Sequence, residues 1–366
     1  MVRNLLVDSV REFACRLYTM LEKDKNLFFS PHSVSAAMSL AYAGAKGETA
    51  LQMAKALAYP AGSQEMITRL LMSLAKAPED GKISLSAANS AWLQKDFPIL
   101  EEYRQKLGAM IRETDFAAAS AAAGEINAWI EENTNNLIKD LVSPDALGAL
   151  TRLVLVNAIH FKGAWTKAFD PARTYRSNFH CLDGTTAKVD MMFAKEMDAR
   201  MVSDHSCQVI RLPYGDGSIH MLVILPKDFR SYSLGFDGRE LERIQLELDN
   251  TYEDEVDVRL PKFKSESTLS LGETLKNLGA KDAFDPAVAD FSGITGSRDL
   301  FISAVLHKAV VDVSEEGTEA AAATAVVMRR LCCCRMDKRF TVDKPFIFAI
   351  CEKGGAPLFM GRIVSL

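Results

Sequence analysis

The chain has 366 residues, of which 48% are hydrophobic and 25% charged, a balance typical of a globular protein with a large core. The formal net charge of −5 argues against a broad nucleic-acid-binding surface, because phosphate binding depends on clustered Lys and Arg. No stretch approaches the roughly 20 apolar residues needed to span a bilayer. These features predict a globular protein that binds neither nucleic acid nor a membrane.

The first segment is predicted to be an amphipathic helix rather than a secretory signal. Its charged residues interrupt every apolar run of signal length, and its apolar residues recur at steps of three and four. The apolar positions are Val2, Leu5, Leu6, Val10, Phe13, Leu17 and Leu21.

The cysteine pattern predicts a cytoplasmic protein with reduced thiols. Seven cysteines form an odd number without paired spacing, and the chain has no Asn-x-Ser/Thr acceptor for glycosylation. Release from the cell by a route that needs no signal peptide stays open.

Periodicity and turn residues predict helices in the first 150 residues and strands after about residue 152. The predicted helices are Ser33 to Ala43, Glu48 to Ala58, Gln64 to Leu74, Leu100 to Ile111 and Gly124 to Leu141. The Ala-rich stretch 116–125 is interpreted as a lead into the last of these. The predicted strands are "LVLVNAIHF", "HMLVILP", "EVDVRLPKF", "AVVDV" and "PFIFAI", with "TLSLGETLKNLG" as a late helix.

This order of elements predicts an α+β fold rather than alternating βαβ units. Since no linker interrupts the sequence, residues 1–366 are expected to form a single domain.

The sequence contains no constellation typical of an enzyme active site, a cofactor site or a metal site. The run 215–217, Gly-Asp-Gly, follows a proline and precedes a strand, so it predicts a turn and not a phosphate loop. There is no Gly-x-Ser-x-Gly motif, and the six histidines lack ligand spacing. Neighbouring side chains of an extended segment point to opposite faces, so Cys332, Cys333 and Cys334 cannot converge on one ion.

Five long motifs resemble, in order and spacing, the signatures of the serpins, the serine-protease-inhibitor superfamily. They are "NLFFSPHSVSAAMSLAYAGAKGET", "LVNAIHFKGAW", "LPYGDGSIHMLVILP", "HKAVVDVSEEGTEAAAAT" and "PLFMGRIV". The features of both termini are most similar to the ovalbumin-like intracellular branch. The resemblance implies about nine helices around three β-sheets, with an exposed reactive loop at about residues 315–339.

In the resembled family, a protease attacks the reactive loop and forms an acyl ester with it. The cleaved loop then inserts into the central sheet and traps the enzyme. The inhibitory hinge of that family matches Glu315, Gly317, Thr318, Glu319, Ala320, Ala321, Ala322 and Ala323.

The residues themselves are compatible with insertion into a sheet. No proline, which would remove a ladder hydrogen bond, occurs between Glu315 and Met328. The small or β-branched residues Thr318, Ala320, Ala322, Thr324 and Val326 share one face of an extended strand, which fits a buried face. The bland alternative is an ordinary Ala-rich surface loop.

Resemblance also implies two supporting regions of the central sheet. Ser30, Ser33, Asn157 and His307 match the family's shutter, a polar cluster where the strands part, although a buried network without a gating role is the alternative. Trp165 matches the breach, where the loop first enters, and Lys262 matches the partner of Glu315 in a hinge salt bridge.

The scissile bond is left between two neighbours. Counting 17 residues from Glu315, as the family does, places it at Leu331-Cys332, where Leu suits a chymotrypsin-like or elastase-like protease. Arg330 would instead suit a trypsin-like protease, whose pocket carboxylate binds Arg through a charge-assisted contact. Arg329 or a cysteine is a third alternative.

The resemblance thus implies a monomeric inhibitor of a serine protease, acting through a covalent acyl complex without a cofactor. The alternatives are a non-inhibitory serpin that acts as a binding module or chaperone, and a cross-class inhibitor of cysteine proteases. The sequence does not indicate whether glycosaminoglycans bind.

Overall fold

The computed structural model describes residues 2–60, 64, 67, 82–318 and 338–366. Nine α-helices are described from end to end within this part of the chain. They are α1 (Val2–Met20), α2 (Pro31–Tyr42), α3 (Gly47–Ala56), α4 (Glu101–Leu107), α5 (Ala119–Asn133), α6 (Phe229–Gly235), α7 (Gly238–Asp249), α8 (Gly272–Asn277) and α9 (Ser292–Thr295).

The same residues form fifteen strands. They are β1 (Leu27–Phe29), β2 (Ile83–Gln94), β3 (Ile111–Thr114), β4 (Leu153–Ala164), β5 (Tyr175–His180), β6 (Thr186–Ser203), β7 (Cys207–Tyr214), β8 (Ile219–Pro226), β9 (Asp254–Pro261), β10 (Phe263–Ser270), β11 (Ile302–Ser314), β12 (Gly317–Thr318), β13 (Lys338–Thr341), β14 (Phe346–Glu352) and β15 (Pro357–Ile363).

The central sheet has six strands in the order β10-β11-β12-β4-β2-β3. Strand β2 pairs antiparallel with β4 along almost its whole length, and β10 pairs antiparallel with β11. Between these two antiparallel halves, β4 and β11 pair in parallel, from Leu153 opposite Ile302 to His160 opposite Val310. We call this parallel contact the seam, and its end near Ser314 the hinge end.

Two further sheets share the 18-residue strand β6. One follows the order β1-β15-β14-β8-β7-β6, and the other contains β5, β6, β9 and β13. Together with the central sheet they make three sheets, so the expected α+β class and the expected arrangement of helices around three sheets are confirmed.

Three apolar clusters hold these layers together. The largest packs α1, α2 and α7 against the strands beneath them, with Phe13 and Leu17 of α1 fully buried. A second cluster lies between the central sheet and the sheet that contains β7, β8, β14 and β15. A third lies under α5, where Ile126 and Ile130 pack on the side chains of β2, β4 and β11. Helix α5 therefore covers both sides of the seam.

Local sequence explains where several helices begin and end. Helix α2 begins at Pro31, two residues before the predicted start, because the Ser30 hydroxyl caps it and proline fits the first helical position. Helix α5 begins at Ala119, since alanine is the best helix former, so residues 119–125 of the Ala-rich stretch are helical and only residues 116–118 lead into the helix. It ends at Asn133, before the predicted end, and Asn135 and Asn136 follow with positive φ angles of 53° and 60°.

Other predictions need correction. Helix α4 is shorter than predicted, because Gly108 has φ of +52° and the chain enters β3 at Ile111. In the late segment predicted to be helical, the first residues extend β10, and α8 starts only at Gly272. Of the predicted helix 64–74, Gln64 and Ile67 are helical and the remainder lies outside the described residues.

The first half of the chain also contains strands that were not predicted from the sequence. The largest is β2, whose twelve residues include three Ser, three Ala and one Asn, but only one β-branched and one aromatic residue, the types that favour a strand. Its long antiparallel pairing with β4 supplies the hydrogen bonds that override this local preference. The predicted Gly-Asp-Gly turn is confirmed, with φ of 51° at Gly215 and 84° at Gly217.

Candidate functional site

The candidate site lies at the hinge end of the seam, where the chain leaves β11 and turns back on itself. After Ser314 the chain makes a turn at 315–316 and returns as β12 between β11 and β4. Thr318 lies opposite Val313 of β11 on one side and opposite Gly163 of β4 on the other. Strands β4 and β11 are thus separated at the hinge end by the two-residue strand β12.

Backbone hydrogen bonds hold this turn against the end of β4. The amide of Trp165 donates to the carbonyl oxygen of Glu316 at 2.9 Å, and the amide of Phe169 donates to that of Glu315 at 2.8 Å. The indole Nε1 of Trp165 donates to the carbonyl oxygen of Ser314 at 3.0 Å. Trp165, which the resemblance places at the breach, therefore contacts both ends of the turn.

The carboxylate of Glu315 is buried and has two partners. Lys262 Nζ lies 2.8 Å from Oε2, and the hydroxyl of Thr174 donates to Oε1 at 2.7 Å. Burial alone would raise the pKa of Glu315, but the hydrogen bonds from Lys262 and Thr174 outweigh it and hold the pKa below its ordinary value. The structure thus brings together Glu315 and Lys262, while Thr174 gave no signal in the sequence.

Gly317 occupies a position that only glycine fits. Its φ of +141° lies in a region that other residues rarely adopt. A Cβ atom there would lie 2.1 Å from the carbonyl oxygen of Gly163 and 2.7 Å from the Cα of Ala164. The close approach of β12 to β4 therefore depends on this glycine.

Thr318 is fully buried, and its hydroxyl forms a hydrogen bond of 2.9 Å with the hydroxyl of Tyr214. The Tyr214 ring stacks on Trp165 with centroids 4.3 Å apart and packs edge-on against Phe161 at 5.1 Å. Burial raises the pKa of Tyr214, so its hydroxyl stays protonated. Tyr214 was not predicted from the sequence, because an aromatic residue at the end of an apolar strand is ordinary core.

The start of the loop differs from the sequence-based expectation of an exposed segment from Glu315 onward. Glu315, Gly317 and Thr318 are all buried, because the turn folds back into the gap between β4 and β11. At the other end of the loop, β13 pairs in parallel with β9, and the side chains of Lys338 and Arg339 are exposed.

A second polar cluster lies further along the seam. The imidazole of His307 accepts a hydrogen bond from the amide of Ser30 at Nε2, at 3.0 Å, and its Nδ1 contacts Oδ1 of Asn157. The side-chain amide Nδ2 of Asn157 donates to Ser33 Oγ and to Oδ1 of Asn89. The four residues matched to the shutter are thus brought together, and Asn89 joins them although the sequence gave no sign of it.

This cluster joins α2, β2, β4 and β11 across the seam. His307 lies directly opposite Asn157 in the parallel register, and Asn89 lies opposite Asn157 on the other side. Burial lowers the pKa of His307 to about 3, against a smaller opposing effect of its hydrogen bond with Asn157. The imidazole is therefore neutral at physiological pH.

The remaining predicted site residues lie outside the described residues, so the structure gives no account of them. They are Glu319, Ala320, Ala321, Ala322, Ala323, Arg330, Leu331 and Cys332.

Among the residues that the structure describes, no group of three or more His, Cys, Asp or Glu side chains could hold a metal ion. The described cysteines, Cys15, Cys181, Cys207 and Cys351, are buried free thiols. No helix in the described ranges is long and apolar enough to cross a membrane.

Known proteins are similar to this chain along nearly its whole length. A family model described as Serpin (serine protease inhibitor) matches residues 8–366. Leukocyte elastase inhibitor A of Mus musculus is 38% identical over 372 residues, covering 96% of this chain and 97% of the relative. The crystal structure of a highly specific serpin from the insect Tenebrio molitor is 33% identical with a TM-score of 0.85, and uncleaved ovalbumin is 28% identical with a TM-score of 0.85. Both alignments cover 98% of this chain, together with 98% of the Tenebrio molitor serpin and 99% of ovalbumin.

Proposed function

Because the chain belongs to the serpin family, we propose that it inhibits serine proteases as a suicide substrate. Its similarity to leukocyte elastase inhibitors and to ovalbumin agrees with the ovalbumin-like branch that the sequence indicated. In this proposal, residues 1–366 form one domain whose reactive loop, at about 315–339, is cleaved by the protease. The acyl-enzyme is then trapped when the cleaved loop inserts into the seam.

The observation that carries the proposal is the position of β12 between β4 and β11. A loop that must become a central strand needs an opening in the sheet at the point where it leaves β11, and β12 occupies such an opening. The next residues in the sequence, Glu319 and the alanines 320–323, add no proline and no large apolar side chain. Insertion can therefore continue from Thr318 without a change in direction.

Two clusters of residues at the central sheet support the same proposed function. We propose that Trp165 and Lys262 form the breach, because they hold the turn from which insertion starts. We propose that Ser30, Ser33, Asn157 and His307 form the shutter, since their hydrogen bonds cross the seam that must open. A polar network of this kind is stable when it is fully paired and is costly when it is half broken.

The choice of target rests on the residues before the cut. A cut after Leu331 would select chymotrypsin-like or elastase-like proteases, and a cut after Arg330 would select trypsin-like ones. The leukocyte elastase inhibitors among the relatives agree with an apolar specificity residue. We therefore propose Leu331-Cys332 as the principal reactive bond, with Arg330 as the second candidate.

The experiment is incubation of the protein, as a monomer and under reducing conditions, with trypsin, chymotrypsin and neutrophil elastase. An inhibitor should yield a complex that survives SDS and contains one acyl bond, mapped by mass spectrometry. In addition, the protein cut between residues 325 and 332 should melt at a higher temperature than the intact protein, because the freed loop completes the central sheet. Cleavage without a complex and without a rise in melting temperature would instead identify a non-inhibitory serpin.

The same gel separates the cross-class alternative, since a stable complex with a papain-like protease alone would assign the protein to cysteine-protease inhibition. Cytoplasmic localisation stays a prediction that rests on the cysteine pattern. It is tested by fractionation of cells that express the full chain.

A further inference from the structure

We propose that Tyr214 is a positioning residue, whose hydroxyl holds Thr318 between β4 and β11 before any protease arrives. The inference deepens the proposed function, on which its kinetic consequence rests. It concerns the contact between Thr318, in the central sheet, and a strand of a different sheet, β7, which ends at Tyr214.

The position of the Tyr214 hydroxyl is fixed by its surroundings. The ring is fully buried, lies parallel to the indole of Trp165 within 11°, and meets the ring of Phe161 at 72°. An antiparallel bridge between Tyr214 and Trp165 fixes the backbone as well, and the next amide, of Gly215, donates to the carbonyl oxygen of Ala164 at 2.8 Å. The phenol oxygen therefore points at one place, the gap that Thr318 fills.

Thr318 meets the hydroxyl with a matching group. Its backbone pairs with β4 and β11 on both sides, which fixes the direction of its side chain, and its Oγ1 lies 2.9 Å from the phenol oxygen. Either hydroxyl can donate, so the pair satisfies both groups in a buried place. A valine would fill the same volume but would leave the phenol without this partner.

The contact biases the position of the hinge. If Thr318 moved out of the sheet, the buried phenol of Tyr214 would lose this hydrogen bond. The loss of a partner by a buried polar group corresponds to a shift of about 5- to 150-fold in an equilibrium. The hydroxyl pair thus favours the docked position of β12 by a factor in this range.

For the proposed inhibitor, the docked position of β12 affects whether the loop inserts before the acyl ester is hydrolysed. Once the acyl ester has formed, the loop must insert before water hydrolyses the ester, and a strand whose first residue is already docked inserts in one register only. Weakening the hydroxyl pair should therefore send more molecules along the substrate pathway. It should leave the sequence read by the protease unchanged, since Tyr214 and Thr318 lie at least 12 positions before Arg330.

The test uses the full chain with Tyr214→Phe and Thr318→Val, which each remove one hydroxyl and keep the shape of the side chain. Hydrogen exchange of the amides of 317 and 318, followed by mass spectrometry, reports the docked position without any protease. Both variants should exchange about 5- to 150-fold faster than wild type at these two amides, and the double variant should exchange no faster than either. Thr318→Ser, which keeps the hydroxyl, should restore slow exchange.

Tyr59→Phe is the matched control, because Tyr59 is also a buried tyrosine whose hydroxyl is hydrogen-bonded, to Ser35, away from the hinge. This variant should leave exchange at 317–318 unchanged. In the inhibition assay, Tyr214→Phe and Thr318→Val should raise the ratio of cleaved inhibitor to complex by equal factors. Equal exchange in wild type and Tyr214→Phe, or additive effects in the double variant, would overturn the inference. Absence of any complex with wild type would overturn the proposed function instead, while the exchange data would still decide the role of Tyr214.

Discussion

Acidification is expected to destabilise the protein through His307, in the buried polar cluster that joins α2, β2, β4 and β11. The imidazole accepts a hydrogen bond from the amide of Ser30 at Nε2, so its proton is on Nδ1, facing Oδ1 of Asn157. Protonation of Nε2 would place an N–H against the N–H of Ser30 inside a fully buried cluster. The native state therefore resists protonation of this residue, and the unfolded state does not.

The size of the effect follows from the two pKa values. Burial lowers the pKa of His307 from 6.5 to about 3. Because the folded pKa is the lower one, the stabilisation is fully present above pH 6.5 and is lost as the pH falls toward 3. Between pH 7.5 and pH 4.5, the linkage amounts to about 3 kcal/mol for this single residue.

The measurement compares wild type with His307→Gln, since glutamine can accept from Ser30 and donate to Asn157 but does not titrate. The free energy of native-state unfolding in urea is measured from pH 7.5 to pH 4.5 for both proteins. His32 and His220 are also buried with lowered pKa values, and they titrate in both proteins, so their contributions cancel in the difference. The variant should lose about 3 kcal/mol less than wild type over this range. Identical pH dependence would show that His307 is not held neutral by the fold.

Three further predictions concern the loop and its hinge. Thr318→Arg should turn the inhibitor into a substrate, because burying a guanidinium at this position costs several kcal/mol. The measurement is the ratio of complex to cleaved protein on SDS gels, and an unchanged ratio would contradict the prediction. Arg330→Ala should leave complexes with chymotrypsin-like proteases intact, whereas Leu331→Ala should weaken them. The assays need a reductant, since oxidation of Cys332 would block the primed side of the bond. If Arg330→Ala weakens the complexes and Leu331→Ala does not, the reactive bond is not Leu331-Cys332. Lys262→Met should lower the unfolding free energy by less than about 1 kcal/mol, because the lysine is 40% exposed. It should nevertheless reduce the fraction of protease that is trapped. A large loss of stability without a change in trapping would refute the role of Lys262 in the breach.

The fold class could be predicted because its evidence is local and contiguous. The periodic apolar residues of α1 require only a helix to share a face, and Val10, Phe13 and Leu17 are indeed buried. The long serpin-like motifs each lie in one continuous stretch of chain. Their match therefore did not depend on knowing which distant residues meet.

The parts of the fold and site that were not predicted from the sequence depend on contacts between distant segments. Tyr214 and Thr318 are 104 positions apart, and Asn89 meets Asn157 across 68 positions. No local pattern distinguishes these residues from ordinary core. The same small residues fit a strand inside the sheet and a loop outside it, so the docked position of β12 was not predictable either. Strand β2 was missed for a related reason, because its partner β4, and not its own composition, makes it a strand.

In the proposed inhibitory mechanism, the two-residue strand β12 separates the initiation of loop insertion from its propagation. In this mechanism initiation is part of the native fold, and each parallel pair of the seam that breaks is replaced by antiparallel pairs on both sides, which are the more stable kind. Counting from the hinge end, the parallel pairs are those of Val310, Ala309, Lys308 and then His307, so the pair in the proposed shutter is the fourth to break. We infer that propagation slows there, because the polar network must exchange its partners. His307→Gln should then change the rate of loop insertion while leaving hydrogen exchange at Thr318 untouched; faster exchange at Thr318 would place the control at initiation instead.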